Sequence, residues 1–447
     1  MPGLLHAPSV TDAKTLNRKV VLATVGSLGD LHPFIALGQV LSGHGVNVVI
    51  ASAPEYQSKV EATGLRFHSL RPGFEELQHD LGMSRAELAR RVLRRSDFLF
   101  RKLVLPYLRA AYEDMMVATA DADLVLSSSL AFGARLAAEK RGIPWIAVVL
   151  QPMMFLSAYD PPVVPHFKWL SAALRRLGPA PTRRAIWLLK QAVNAVFGPL
   201  HALRAELGLP REARDPLFDG QFAACGAIAL YSKLLGDVQP DHPQPSCIVG
   251  FAAFDSENGA PAELDPHLNE FLNAGSAPLV FTLGSLVVNS PGDFYRQSVA
   301  ASQLLGRRAV LLAGELAGEF AHLSSPQVFV CPYAPHSQLF TRAAAIAHHG
   351  GIGTLAQALR SGRPQLIVPH FADQPDNAAR AERLGVALVS SPGRYRAASA
   401  QRDLHRLLGD GRYLTRAREV SDVLAAEDGA LQGARIVLDR LEQLGSN

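Results

Sequence analysis

Apolar residues in this chain come in short unbroken runs, with little strict alternation of apolar and polar positions. Residues 19–25 (KVVLATV) form one such run, and it ends in a glycine-rich turn, Gly26-Ser27-Leu28-Gly29-Asp30. A helical pattern follows over 33–44, closed by Gly45, and a second apolar run covers 46–51. Unbroken Val/Ile/Ala runs that alternate with helical stretches are typical of strands buried on both faces of a parallel sheet. The same pattern predicts a helix over 54–63 and strands over 65–69, 124–128, 145–150 and 227–231. Residues 18–235 therefore read as one doubly wound domain.

The alternation lapses between Leu235 and Pro266, where Pro, Asp, Gly and Ser dominate, so 236–266 reads as a linker. A second series then spans 267–428, with strands predicted over 278–283, 309–313, 328–331, 344–348, 365–369 and 386–389. The last stretch, 429–447, reads as a helix that packs back on the first domain. Both halves open alike, with an apolar strand running into Gly-Ser-Leu at Gly26 and again at Gly284. Open α/β sheets bind ligands beyond the carboxyl ends of their strands. Two such sheets facing each other put their loops on opposite sides of one cleft, an arrangement suited to joining two substrates.

Composition narrows the class. At roughly 150 residues per domain, 447 residues make two or three domains. The chain is 48% hydrophobic and 19% charged, below the usual charged share of about 25%, which excludes a mostly disordered protein. The longest uncharged apolar stretch, 143–159, is interrupted by Pro144, Gln151 and Pro152 and falls short of the about 20 residues a membrane helix needs. The first 17 residues lack the basic-then-apolar order of a secretory signal. Cys225, Cys247 and Cys331 lie too far apart for a disulfide framework or a zinc ribbon. A cytoplasmic location is expected.

The net charge of +4 is unevenly spread. Residues 85–109 hold eight Lys or Arg and two acids, and residues 166–190 hold six Lys or Arg and no acid. Such segments are either solvated helix faces or a surface for an anionic ligand, the inner membrane surface or nucleic acid. Aromatic interleaving is thin, so no nucleic-acid partner is expected.

The densest chemistry lies in 333–377. A predicted strand runs into His348-His349-Gly350-Gly351-Ile352-Gly353-Thr354 and then a helix ended by Gly362. Glycines at a strand-to-helix turn let backbone N–H groups approach an oxyanion, and the helix dipole favours negative charge there. A diphosphate suits that turn; an ordinary βα turn using glycine for geometry is the competing reading.

Four separated pieces in order, Tyr333-Ala334-Pro335-His336, His348 to Thr354, Pro369, and Asp373-Gln374 with Asn377, resemble the donor-binding signature of the nucleotide-sugar glycosyltransferases of the GT-B class. The resemblance implies an α/β fold of two doubly wound, Rossmann-like domains facing one cleft. It implies a nucleotide-sugar co-substrate, dTDP- or UDP-linked, and no further cofactor. It places Tyr333 on the nucleotide base, where the family usually has Trp, with the Ala334 backbone at the base edge and His336 in place of the usual Gln. His349, Gly351, Gly353 and Thr354 would hold the diphosphate, with Gly284 and Ser285 beside them. Asp373 and Gln374 would read the sugar hydroxyls. Gln357 stands where many members have a Glu that accepts from both ribose hydroxyls, which makes a 2′-deoxyribose donor more plausible.

In the first half, Gly26 to Pro33 resembles the GSxGDxxP turn of the bacterial branch, and Asp30 matches the position of the catalytic His of plant relatives. Asp30 would be the base that takes the acceptor's proton in an inverting displacement; a helix cap is its competing role. His32 is the reserve base. Asp121-Ala122-Asp123 is formally a metal-binding DxD, but it precedes an acceptor-side strand and reads as a chance match, so no metal is expected.

Stretches around Gly29, Phe132, Pro278, Gly292 and His348 also resemble the rhamnosyltransferases of bacterial rhamnolipid synthesis. That likeness implies transfer of rhamnose from dTDP-rhamnose to a hydrophobic, hydroxyl-bearing acceptor such as a hydroxy-fatty-acid lipid. Phe98, Phe100, Leu103, Trp169 and Trp187 would then line an acyl channel or rest on a membrane; ordinary helix core is the alternative. UDP-glucose or dTDP-sugar transfer to a flavonoid, sterol or antibiotic aglycone is the second reading, and a non-enzymatic nucleotide-sugar binding protein the third.

Overall fold

The computed structural model describes residues 18–163, 168–212, 214–222, 225–256 and 263–445. The leader expectation for the first 17 residues, the linker reading over 257–262 and the Trp169 side chain lie outside the described residues.

The first half folds its apolar runs into β1 (Lys19–Ala23), β2 (Asn47–Ser52), β3 (Arg66–Ser69), β4 (Leu124–Ser128), β5 (Trp145–Val149), β6 (Ala227–Ala229) and β7 (Ser246–Ile248). They form one parallel sheet in the order β3-β2-β1-β4-β5-β6-β7. The second half supplies β8 (Leu279–Thr282), β9 (Ala309–Leu312), β10 (Val328–Cys331), β11 (Ala345–His348), β12 (Gln365–Ile367) and β13 (Ala387–Val389). Their order is β10-β9-β8-β11-β12-β13, again all parallel. Val20 to Ala23 and Leu279 to Phe281 are wholly buried, as continuous apolar runs in helix-covered parallel sheets must be.

Two expectations are corrected. The stretch read as a linker contributes β7, which pairs with β6 through Ile228 and Cys247, so the first sheet extends past residue 235. Three residues among prolines carry no periodicity that could announce a strand. The first helix spans Leu28–Gly43 rather than starting at Pro33. Ser27 and Asp30 nucleate it one turn early, and Pro33 forgoes only the bond to the Gly29 carbonyl.

The helix Gly429–Gly445 lies on the first domain, with Ala434, Val437 and Leu441 in the same core as Leu37 and Leu41. Small residues permit the close approach: a Cβ on Gly433 would sit 3.4 Å from Leu230 and Leu37.

Five of the eight cations of the first basic segment are paired with acids. Arg91 pairs with Glu87, Arg95 and Arg101 with Asp97, and Arg109 with Glu206. Arg85 reaches Glu315 of the second domain. Phe100, half-buried, packs 5.5 Å from Phe197 at the edge of the core. Among the described residues no helix is long and apolar enough to cross a membrane.

Candidate active site

In both sheets the strand order reverses direction between the first and fourth strands of the domain, β1 and β4, then β8 and β11. Crevices open at such points, and ligands bind there. The turns after β1, β8 and β11 carry most of the sequence-predicted residues.

The turn after β1 is built around Asp30. Ser27 caps the helix Leu28–Gly43, and Asp30 Oδ2 accepts from the Ser27 N–H at 2.8 Å and from the Ser27 hydroxyl at 3.1 Å. Gly26 has a φ of +147°, and a Cβ there would lie 2.3 Å from Asp30 Oδ2, so only glycine leaves the carboxylate its place. Asp30 is thus the third helical residue, closing a capping box rather than forming the cap itself. Burial raises its pKa, and the hydrogen bonds from Ser27 oppose that rise in part.

The turn after β11 is held from below by His348. Its Nε2 meets Gln365 Oε1 at 2.9 Å, and its Nδ1 accepts from the Gly350 N–H at 3.1 Å. His348 is therefore a neutral scaffold, its pKa lowered by burial to about 4. His349 is the residue turned to other use. Burial also lowers its pKa well below the usual value, and its Nδ1 is enclosed with no protein partner. Its ring fills the space between Gly351 and Gly284 of the turn after β8, because Cβ atoms there would approach it to 2.4 Å in each case. Gly284, Gly351 and His349 thus form one contact, with Ser285 the next residue of the β8 turn.

The two domains meet at glycine. A Cβ on Gly353 would come within 3.4 Å of Gly29 Cα, so the helices Leu28–Gly43 and Ile352–Arg360 bring their N-termini together. Two positive helix ends at one point favour negative charge there. Thr354 and Gln357 stand half-buried on the first turns of the second of these helices.

Asp373 immediately precedes the helix Gln374–Arg383 and accepts from Asn377 Nδ2 at 2.6 Å. Its pKa is pushed up to about 7, chiefly by burial and then by the charge of Asp30 facing it from the other domain. Gln374 is committed in part to the loop: its Oε1 accepts from the His370 N–H at 2.8 Å and the Phe371 N–H at 3.3 Å. Only the other end of that amide lies outside these two bonds.

Tyr333 brings in a residue the sequence did not single out. Its hydroxyl donates to Asp255 Oδ1 at 3.1 Å, and Asp255 Oδ2 accepts the Ser337 N–H at 2.5 Å. The interdomain segment therefore fixes the phenol ring. Ala334 is buried beside it, and His336 packs edge-on against Phe340 at 4.4 Å. His32 lies 5.1 Å from Phe254, its pKa lowered to about 3 by burial, with the charge of Lys59 adding to the effect. A histidine so reluctant to take a proton is a poor general base near neutral pH, which favours Asp30.

A second unforeseen feature adjoins the site. Arg380, on the helix begun by Asp373, is 2% exposed and bonds Asp376 at 2.7 Å, Asp160 of the first domain and the Leu235 carbonyl at 2.6 Å. Asp376 also accepts the Val163 N–H at 2.9 Å.

The DxD is structural: Asp123 binds Arg18 at 2.5 Å and the Lys19 N–H at 2.8 Å. Among the described residues, no three His, Cys, Asp or Glu are grouped to hold a metal ion.

The Gly284 turn is open to a direct test. At φ +65°, with His349 2.4 Å from any added Cβ, Gly284→Ala is expected to cost about 1–3 kcal/mol of stability. It should also displace His349, so nucleotide affinity, measured by calorimetry, should fall about tenfold or more.

Residues 20–159 match the glycosyltransferase family 28 N-terminal domain, and residues 313–439 match the erythromycin biosynthesis protein CIII-like C-terminal domain. An uncharacterized glycosyltransferase of Mycobacterium leprae is 30% identical, over 94% of this chain and 96% of that protein. Among solved structures, the glycosyltransferase of kitacinnamycin superposes with a TM-score of 0.67 at 21% identity, covering 95% of this chain and 99% of that one. The spinosyn rhamnosyltransferase SpnG, complexed with thymidine diphosphate, superposes with a TM-score of 0.58 at 19% identity, covering 94% and 99%.

Proposed function

We propose, from the premise that the chain belongs to the GT-B nucleotide-sugar glycosyltransferases, that it transfers a hexose with inversion from a dTDP-linked donor to a hydroxyl of a hydrophobic acceptor. The observation that carries this reading is the meeting of two helix N-termini at Gly29 and Gly353, with Asp30 on one side and Asp373 on the other. A diphosphate at that point gains from both helix ends as it departs with the charge it accumulates. His349, whose Nδ1 has no protein partner, adjoins it between the Gly284 and Gly351 turns. Asp30, across the junction, takes the acceptor hydroxyl's proton as the oxygen attacks the anomeric carbon from the face opposite the diphosphate. Helix ends and imidazole supply the leaving-group stabilisation that a metal supplies elsewhere, so the reaction is read as metal-independent.

Rhamnose from dTDP-rhamnose, passed to a hydroxy-fatty-acid lipid in glycolipid synthesis, is the specific reading. Gln357 supports it: a neutral amide in place of a carboxylate grips two ribose hydroxyls less and tolerates 2′-deoxyribose. The thymidine diphosphate bound to the spinosyn rhamnosyltransferase is in line with it. The erythromycin-type second half and the likeness to the kitacinnamycin enzyme favour the alternative, an antibiotic aglycone as acceptor.

A thermal-shift panel of UDP, dTDP, GDP, UDP-glucose and dTDP-rhamnose without metal tests the donor. A ligand at 100 times its dissociation constant stabilises the fold by about 2.7 kcal/mol. The dTDP ligands should give the largest shifts. A larger UDP shift would move the reading to glucosylation of a sterol or aromatic aglycone, and no shift with any of them would remove the donor assignment.

A further inference from the structure

Nine large apolar side chains are exposed among the described residues, and five of them fall between residues 159 and 188: Tyr159, Leu170, Leu177, Trp187 and Leu188. They sit on and beside a helical hairpin, Lys168–Leu177 and Pro179–Asn194, inserted between β5 and β6. Its turn is locked by the Thr182 hydroxyl, which donates to the Gly178 carbonyl at 2.8 Å. Trp187 is 56% exposed, Leu188 57% and Leu177 68%. Leaving such side chains in water forgoes the burial that ordinarily orders a helix pair.

The charge on this hairpin is of one sign. Residues 168–194 contain Lys168, Arg175, Arg176, Arg183, Arg184 and Lys190 and no acid. Three are held from outside the hairpin: Arg175 by the Pro161 carbonyl and Asp160, Arg183 by the Tyr159 hydroxyl, Lys190 by Asp219. Arg176 and Arg184 face solvent. On the helix Pro179–Asn194 the spacing puts Arg183, Arg184, Trp187, Leu188 and Gln191 on one outward stripe, and all five are exposed. The stripe combines an apolar band containing an indole with flanking guanidinium groups, as interfacial helices do.

We infer that this hairpin docks the enzyme on an anionic phospholipid surface, with Trp187 and Leu188 in the interfacial layer and Arg176 and Arg184 among the headgroups. Complementary charge selects the partner: a neutral apolar protein surface gains nothing from arginines at the rim, whereas anionic headgroups do. The hairpin also sits beside the cleft. Tyr159 stacks under Arg183, with the guanidinium 5.2 Å from its ring, and the neighbouring Asp160 bonds Arg380 on the helix that follows Asp373. A lipid-borne acceptor could therefore pass from the surface to the cleft; that consequence, unlike the docking, rests on the reading of a hydrophobic acceptor given above.

The test is sedimentation of the full chain with vesicles of phosphatidylcholine alone or mixed with an equal part of phosphatidylglycerol, read with tryptophan emission. The protein should sediment with the mixed vesicles, with a blue-shifted emission, and be released as salt shortens the screening length from about 10 Å at 0.1 M to about 3 Å at 1 M. Trp187→Glu with Leu188→Glu should cut partitioning at least tenfold, and Arg176→Glu with Arg184→Glu should do the same. Both should keep the dTDP thermal shift, which shows that they fold. No sedimentation with the mixed vesicles, equal sedimentation with both kinds, or binding that survives both variants would overturn the inference. So would a dimer that Trp187→Glu dissolves, since a second copy would then be the occupant. Because vesicle binding needs no sugar donor, its failure is separate from any failure of the donor assignment.

Discussion

Asp30→Asn is expected to lower turnover by about 10²–10⁴-fold, the usual contribution of a general base, with donor affinity changed far less. Asparagine is close to isosteric and can still accept the Ser27 N–H, which lies 2.8 Å from Oδ2, so the capping box survives while the proton acceptor is lost. The pH profile carries a second signature. Burial raises the Asp30 pKa, and only its ionised form accepts a proton, so wild-type turnover should rise with pH through that raised range. The variant should lack this acid limb. Asp373, held up to about 7 by burial and then by the Asp30 charge, should titrate lower once that charge is gone. The pH dependence of donor binding should shift to more acid values. Single-turnover rates and calorimetric donor binding across pH 5–9 measure both effects, and turnover within about tenfold of wild type would remove the base assignment.

Arg380→Met is expected to be the most destabilising single change near the site, at about 3–5 kcal/mol. Arg380 is 2% exposed and Asp376 is wholly buried, so removing the guanidinium strands a carboxylate in the domain interface. Burial opposes the charge on Arg380, but Asp376 and Asp160 more than restore it, and its pKa rises. Adding Asp376→Asn should recover much of the loss, because the amide oxygen can still accept the Val163 N–H now bound at 2.9 Å and no unpaired buried charge remains. Urea midpoints of the two variants, with near-ultraviolet circular dichroism as the packing probe, decide it. A loss below about 1 kcal/mol for the single variant would mean that water reaches Asp376. Since Arg380 shares a helix with Asp373 and Gln374, the single variant should also weaken donor binding, while the double variant restores stability before affinity.

The parallel sheets and the glycine turns were legible because their signals are local. A strand covered on both faces is apolar almost throughout, so β9 lies inside the unbroken run that predicts it. The turns after β1, β8 and β11 announce themselves through glycines that leave room for Asp30 and His349. The strand β7 was illegible because Ser246–Ile248 is too short to show a period. The pairing within the first basic segment was illegible for a different reason. Its pairing acids, Glu206 and Glu315 among them, lie far along the chain, and composition within a window does not register them.

The sequence by itself determined the α/β class, the two-domain order and the chemistry of each turn, because backbone geometry and burial on both faces constrain neighbouring residues directly. Only the tertiary structure decided which groups meet across the cleft. Asp255 finds Tyr333 from 78 residues away, and Asp160 finds Arg380 from 220. Asp30 raises the pKa of Asp373 only because two sheets fold face to face. Such pairings depend on distance in space, and Coulombic and hydrogen-bond energies fall off over a few ångströms whatever the separation along the chain.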